Sequence, residues 1–319
     1  MKKLLIIGAS GSLGQGLVSS LKKDYDITAT YYNNKMMRDD VKTIQLDITD
    51  IKSFDKLSNT KYDTVILVAG MMPANMKGYN PQSYIDVNVT GTLNVLEFCR
   101  EQNINKIIYI MTFSDVSGSF YSGIPIKRDE IRSLNYKGDH AVYAITKVTA
   151  CELLEHYHQD FGMQTIIFRI PTVYCDDENY FYYVDGKQRT KAYFKMIKSV
   201  VEDKKIEIWG NPTNAKDMPY IKDFARLIGK AVENTIAQGI YNAGTEQPIS
   251  LEEFINAIIK VFSSDSDEVQ KIYKPEKPSQ PNFTFDMSET NKEFQFNIKY
   301  DLITMLEEMK QNIDLDKIR

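Results

Sequence analysis

Tyr143-Ala144-Ile145-Thr146-Lys147 places a phenol and an ammonium four residues apart. On a helix, that spacing puts both on one face, a turn apart. A nearby cation favours phenolate and draws a tyrosine pKa down from about 10. Such a tyrosine can give or take the proton of a sugar or alcohol oxygen while hydride moves on the carbon. The same lysine can also hold a ribose. The spacing is not decisive alone, because Tyr31/Lys35, Tyr183/Lys187 and Tyr273/Lys277 repeat it. Tyr31 ends a strand pattern, Tyr183 lies in a glycine-containing loop, and Tyr273 is flanked by prolines. Tyr143 alone falls in a long helical pattern, 139–161, between two apolar strand patterns.

A second group of residues supplies the context. Lys3-Leu4-Leu5-Ile6-Ile7 runs directly into Gly8-Ala9-Ser10-Gly11-Ser12-Leu13-Gly14. A buried strand that ends in a glycine-rich turn and enters a helix cradles phosphates on the helix N-terminus. Gly8 permits the tight turn, Gly11 lets the backbone approach a pyrophosphate, and Gly14 lets the helix pack on the strand. With that turn present, Tyr143/Lys147 reads as a catalytic pair rather than a solvated helix face.

The elements that must position these groups alternate. Strand patterns at 4–7, 26–32, 43–46, 64–68, 106–111 and 164–170 are spaced by helical ones at 13–22, 81–102 and 139–161. This predicts an α/β fold: a Rossmann-like, doubly wound parallel sheet covered on both faces. The rhythm changes after Pro171. The expected division is a dinucleotide-binding domain over 1–172, with contributions from about 217–245, and a smaller C-terminal α/β substrate lobe over 173–319. In that lobe, Tyr174–Thr190 reads as a loop, Ser250 and Glu253 as a capping box, and 274–278 as an extended linker. Tyr174–Thr190 and Asn211–Lys216 are expected to line the pocket.

Bulk composition narrows the classes. The chain has 319 residues and a formal charge of −4, so no basic excess points to nucleic acid or an anionic membrane. No stretch of about twenty apolar residues suits a membrane span, and the apolar start stops too early for a signal peptide. Cys99, Cys151 and Cys175 are odd in number and widely spaced, which suits reduced thiols in a cytoplasmic protein. His140, His156 and His158 form no metal-ligand spacing, so no metal is expected.

The whole pattern resembles the extended short-chain dehydrogenase/reductases, in the NAD-dependent epimerase/dehydratase group that modifies nucleotide sugars. Gly8, Gly11 and Gly14 match its Gly-x-x-Gly-x-x-Gly turn, with Ser10, Ser12 and Leu13 between them. Asp47-Ile48 matches the acidic residue after strand three that meets adenine. Val68-Ala69-Gly70 matches the small-residue strand end beneath the cofactor, and Asn88 the segment opening the next helix. Tyr143 and Lys147 match the catalytic pair, and the Pro171–Val173 stretch the exit from strand six. Lys216-Asp217 through Asp223 resembles an Arg-Asp…Asp segment. The resemblance implies a nucleotide-sugar substrate and hydride transfer at a sugar carbon, by a 4-keto reductase or a 4-epimerase. A 4,6-dehydratase and a non-catalytic NADP-binding sensor or scaffold are the alternatives.

The departures are specific. The substrate-orienting hydroxyl usually stands five residues before Gly118, where this chain has Phe113. Thr112 or Ser114 must supply it, with Ser114 favoured. Dehydratases carry adjacent Asp and Glu after that hydroxyl, and here Asp115 stands alone. Lys216 replaces an arginine that commonly contacts the nucleotide. At the end of strand two, Tyr32 occupies the position of the ribose-binding acid, and Lys35 and Arg38 follow. That favours NADP(H) over NAD(H), with Lys35 or Arg38 on the 2′-phosphate. Helices around 84–100 and 142–158 carry Ile85, Val89, Leu93 and Leu96, and Ala144, Val148, Cys151 and Leu154. The resemblance implies a homodimer that pairs them as a four-helix bundle.

Overall fold

A computed structural model describes residues 1–35, 39–138, 140–175, 179–184, 187–264 and 268–318. Among these, seven parallel strands form the main sheet: β1 (Lys3–Ile7), β2 (Asp26–Tyr31), β3 (Lys42–Gln45), β4 (Thr64–Leu67), β5 (Lys106–Thr112), β6 (Gln164–Ile170) and β7 (Gly239–Asn242). The spatial order is β3-β2-β1-β4-β5-β6-β7. Strand order reverses between β1 and β4, which are paired with Ile6 opposite Ile66. The crevice beyond the carboxyl ends of these two strands is where open α/β sheets bind ligands.

Alternation along each strand divides the core. Leu4 and Ile6 join Leu17, Ile66, Ile108 and Phe168 on one face. Leu5 and Ile7 join Leu67, Ile107, Tyr109 and Leu154 on the other. Both faces are therefore covered, which explains the nearly unbroken apolar runs of β1 and β4. β7 lies beside β6, with Asn242 opposite Arg169, so the chain returns to the sheet after the long excursion that follows β6.

Two sequence expectations are corrected. The helical pattern 81–102 is broken: Pro81–Tyr84 and Gly91–Glu101 are α-helical, and Ile85–Thr90 between them is a π-turn. The stretch read as a loop contains an antiparallel hairpin, Phe181–Val184 with Lys187–Thr190. A strand that the sequence does not mark, Gln270–Lys274, runs up to the expected linker and pairs in parallel with Lys205–Trp209. The capping box is present: Ser250 Oγ accepts from Glu253 N–H at 3.1 Å, and Glu253 Oε2 accepts from Ser250 N–H at 2.8 Å.

The proposed pairing helices are less apolar outside than expected. Leu96, Ala144, Cys151 and Leu154 are buried in the chain's own core. Ile85, Leu93 and Ile145 face outward. The reason is packing: Leu96, Cys151 and Leu154 share one core with Leu5, Leu67 and Tyr109 of the sheet, which takes up that part of the apolar stripe.

Candidate active site

β1 ends at Ile7, and Gly8 follows at φ +87°. A Cβ on Gly8 would lie 2.5 Å from Ala69 N, and one on Gly14 would lie 2.5 Å from Gly8 O. Packing demands both glycines. Gly11 differs: its Cβ would meet only Gly8 O, at 3.8 Å, in otherwise open space. Gly11 is the N-cap of helix Ser12–Leu21 and gives it no side-chain cap. The first N–H groups and the positive end of the helix thus face the crevice, where an anion would satisfy them. Ser10 is half-buried and Leu13 packs on the core. Ser12 Oγ accepts from Asn179 Nδ2 at 2.9 Å, so the segment after β6 reaches the glycine turn.

Across the crevice, Val68 and Ala69 donate to Ile7 O at 2.9 and 2.8 Å, which extends β4 past its last strand residue. A Cβ on Gly70 would lie 3.3 Å from Asn88 Oδ1 and 3.8 Å from Lys147 Nζ. Asn88 is the hub here. Its Oδ1 accepts from Met71 N–H at 2.8 Å, and its Nδ2 donates to Met71 O at 2.9 Å and Thr146 Oγ1 at 3.1 Å. The π-turn that interrupts the helix carries Asn88, and such bulges recur at functional sites. Asn88 therefore ties the β4 loop to the helix of Tyr143 and Lys147.

The adenosine end is more open. Asp47 Oδ1 accepts from Thr49 N–H and Oγ1, at 2.9 and 2.7 Å. Ile48 is buried and crowds Gly91, where a Cβ would lie 2.7 Å from its Cδ1. Tyr32 and Lys35 are exposed beyond the end of β2. Arg38 lies outside the described residues.

Tyr143 and Lys147 lie on helix His140–Phe161, packed over β5. Lys147 is 6% exposed, and its Nζ stands 4.0 Å from the centre of the Tyr109 ring. Among the described residues no carboxylate pairs with it, and burial pushes its pKa down to about 7. Burial also raises the Tyr143 phenol above its ordinary value, against a hydrogen bond from the Thr112 hydroxyl that favours the ionised form. Thr112 Oγ1 donates to Ser114 Oγ at 3.0 Å and accepts from Ser114 N–H at 3.2 Å. Of the two hydroxyls named from the sequence, Thr112 is the neighbour of Tyr143, and Ser114 is bonded to Thr112. Phe113 points elsewhere: it stacks on Phe120 and Phe283 at centroid distances of 5.7 and 5.3 Å.

Asp115 is fully buried and grips Arg169 through both oxygens, at 2.9–3.1 Å. Burial raises its pKa, and Arg169 opposes that rise. Arg169 also donates to Lys127 O, Arg128 O and Asn242 Oδ1. This acid holds the architecture together. Pro171 is buried and Val173 half-buried at the exit from β6. Asp217 accepts from Thr245 and from Phe285 N–H, and Asp223 from Lys299 and Tyr300 N–H, so both acids organise loops. Lys216 is half-buried opposite Ile249.

Sequence reading missed Tyr109, Thr146 and Asn179. A tyrosine on an otherwise aliphatic strand was the available signal for Tyr109. Nothing local marks the other two.

A sequence model of the NAD dependent epimerase/dehydratase family matches residues 4–244. The chain belongs to that family. A UDP-glucuronate 4-epimerase of Thermodesulfobacterium geofontis is 29% identical over 249 residues, spanning 77% of this chain and 72% of the relative. The fold is that of solved family members. A UDP-glucose 4-epimerase of Thermotoga maritima, solved with UDP-glucose, superposes with a TM-score of 0.80 at 18% identity, covering 97% and 98% of the two chains. A UDP-glucuronic acid 4-epimerase of Bacillus cereus, solved with NAD, gives 0.73 at 24% identity, covering 97% and 99%.

The residues of this family member fit a nicotinamide dinucleotide. The open space over Gly11 suits a pyrophosphate, and the buried, unpaired Lys147 ammonium suits the hydroxyls of a ribose.

Proposed function

We propose that this chain is a nucleotide-sugar 4-epimerase. The observation that carries the reading is that Asp115, the one acid of the loop 113–119, is buried and bound to Arg169, while Tyr143 and Lys147 share one helix. An elimination needs a second acid–base group there. An oxidation and return at one carbon needs only the tyrosine.

When bound, the dinucleotide supplies a nicotinamide that accepts a hydride from the sugar carbon and gives it back. Gly11 and the first turn of the helix Ser12–Leu21 anchor the pyrophosphate. Lys147 holds the ribose and stabilises negative charge on Tyr143. The Tyr143 phenolate takes the proton of the 4-hydroxyl as the carbon becomes a ketone. It returns that proton to the oxygen once the sugar has presented its other face. Ser114 and Thr112 hold the reacting oxygen beside the phenol. Residues 1–172 would hold the dinucleotide and 173–319 mainly the sugar nucleotide.

The 4-keto reductase is the second reading, since it uses the same groups. The relatives named as 4-epimerases favour the epimerase. Incubation with UDP-glucose, UDP-N-acetylglucosamine and UDP-glucuronic acid tests this. Formation of a 4-epimer with no net change in reduced nicotinamide absorbance is expected. Consumption of added reduced dinucleotide by a 4-keto sugar, with no epimer formed, would establish the reductase.

Two finer assignments follow the same reading. No carboxylate follows β2 at Tyr32, and Lys35 is exposed there, which favours NADP(H); the relative solved with NAD weighs against it. Tighter binding of NADPH than NADH is expected, and equal or tighter NADH binding overturns it. The outward residues Ile85, Leu93 and Ile145 support a homodimer in a cytoplasmic protein, which light scattering checks.

A further inference from the structure

Buried cations are as a rule paired with an acid, because the hydration they lose must be replaced. Lys147 is buried, and among the described residues no carboxylate lies against it. What lies against it is an aromatic face, with Nζ 4.0 Å from the centre of the Tyr109 ring. That ring is firmly mounted. Tyr109 stands in the middle of β5, opposite Leu67 of β4 and Ile167 of β6, and is fully buried. Its strand neighbours Ile107, Ile108, Ile110 and Met111 are all non-aromatic, so the apolar pattern of β5 does not itself call for a tyrosine.

The rest of the surroundings adds no charge. The end of β4 brings Gly70, where a Cβ would lie 3.8 Å from Nζ, and the π-turn brings the neutral amide of Asn88. On its own helix the titratable neighbours are Tyr143 and Cys151, one turn to either side. Cys151 Sγ faces Met111 Sδ at 3.4 Å, and burial raises that thiol to about 12, so it stays neutral.

We infer that Tyr109 is a positioning residue of this site: the face of its ring holds the Lys147 ammonium in place without neutralising it, and so leaves the full positive charge to a dinucleotide ribose and the Tyr143 phenolate. A carboxylate at the same place would grip the lysine harder, but it would cancel the field that the lysine exerts on the phenol. An aromatic ring has a negative face and no net charge. It steadies a cation and lets the charge be felt beyond it. It also occupies one side of an ammonium that has three N–H groups to give. The role toward the ribose rests on the reading of Lys147 as the group that holds it. The grip of the ring on the ammonium does not.

The test changes the face of the ring and keeps its shape. Tyr109 is replaced by phenylalanine and by phenylalanines carrying one, two and three ring fluorines, which drain the negative face in steps. The full chain, freed of dinucleotide, carries lysine labelled with carbon-13 at Cε, and the Lys147 signal is the one that Lys147→Met removes. Tyr109→Phe should leave the Lys147 titration in place. The trifluorinated ring should lower it by about one pH unit, a tenfold loss of preference for the charged form. Tyr109→Leu, where it folds, should fall at least as far.

Affinity for the oxidised dinucleotide, read by calorimetric titration, should follow the lysine. With a parent titration at about 7, the trifluorinated chain should bind about tenfold more weakly at about pH 8 and nearly as well as the parent at about pH 5.5, where most of the lysine is charged in both. A residue that only packs gives neither an order by fluorine count nor a return of affinity in acid. The inference is overturned if the lysine titration ignores the fluorines or rises with them, or if the loss of affinity is the same at both pH values. A parent that binds no dinucleotide defeats instead the reading of Lys147 as the ribose-holding group, and the titration series still decides for or against the ring. No sugar is turned over in these measurements, so absence of epimerisation bears on the proposed reaction alone.

Discussion

The ammonium of Lys147 rests 4.0 Å from the centre of the Tyr109 ring, with no carboxylate against it among the described residues. A cation over an aromatic face recovers part of the solvation it loses on burial, but not all of it. The lysine is held ready for a partner at the expense of the free fold.

That arrangement has a pH signature. Burial lowers Lys147 from 10.5 to about 7, so between these values the unfolded chain binds more protons than the folded one. Stability linked to this group therefore rises with pH across that window, and its penalty is complete below about pH 7. Neighbouring Tyr143 and Cys151 are raised by burial and stay neutral there. In the free protein, Lys147→Met should raise Tm at about pH 6, and that advantage should shrink steadily above about pH 7 and vanish only near pH 10.5, as read by calorimetry. An advantage that does not change with pH would contradict the assignment.

Tyr143→Phe keeps the ring and removes the acid–base group. Turnover should fall by roughly 10²–10⁴-fold, while Tm and dinucleotide affinity stay near those of the parent. Unchanged turnover of UDP-sugars would remove Tyr143 from the chemistry and revive a sensor or scaffold role.

The three glycines should separate in their effects. Gly11→Ala should fold normally and weaken dinucleotide binding, because its Cβ enters open space over the helix terminus. Gly8→Ala combines φ +87° with a contact of 2.5 Å to Ala69 N, and should destabilise by roughly 2–4 kcal/mol. Chemical denaturation and calorimetric titration distinguish the two; equal loss of stability in both would defeat the assignment of Gly11.

Breaking the buried pair should be costly in structure. Asp115→Asn leaves the Arg169 guanidinium without its counter-charge and should destabilise by about 3–5 kcal/mol. A double substitution, Asp115→Leu with Arg169→Met, should recover part of that loss. Urea melts measure both.

The glycine turn was legible because its steric demands are written in the one residue type that meets them. Tyr143 and Lys147 were legible because helix periodicity fixes their common face. The hydroxyls were less so. Whether position 112, 113 or 114 faces the phenol depends on the phase in which β5 ends and the turn begins. The stack of Phe113 on Phe283 settles that phase from 170 residues away. The partner of Asp115 is similarly remote, on the next strand of the sheet. The π-turn at Asn88 broke a helix whose apolar pattern ran unbroken, because Met71 and Thr146 hold the Asn88 amide from other elements.

The pairing of Asp115 with Arg169 also bears on how such a site can change over evolution. Arg169 holds two backbone carbonyls of the 127–128 segment and the Asn242 side chain as well as the acid. A lineage seeking to eliminate water from the sugar cannot simply recruit Asp115, since freeing it strands a buried cation that three other groups have been shaped around. Diversification by point substitution is therefore steered toward the sugar pocket and away from the reaction type.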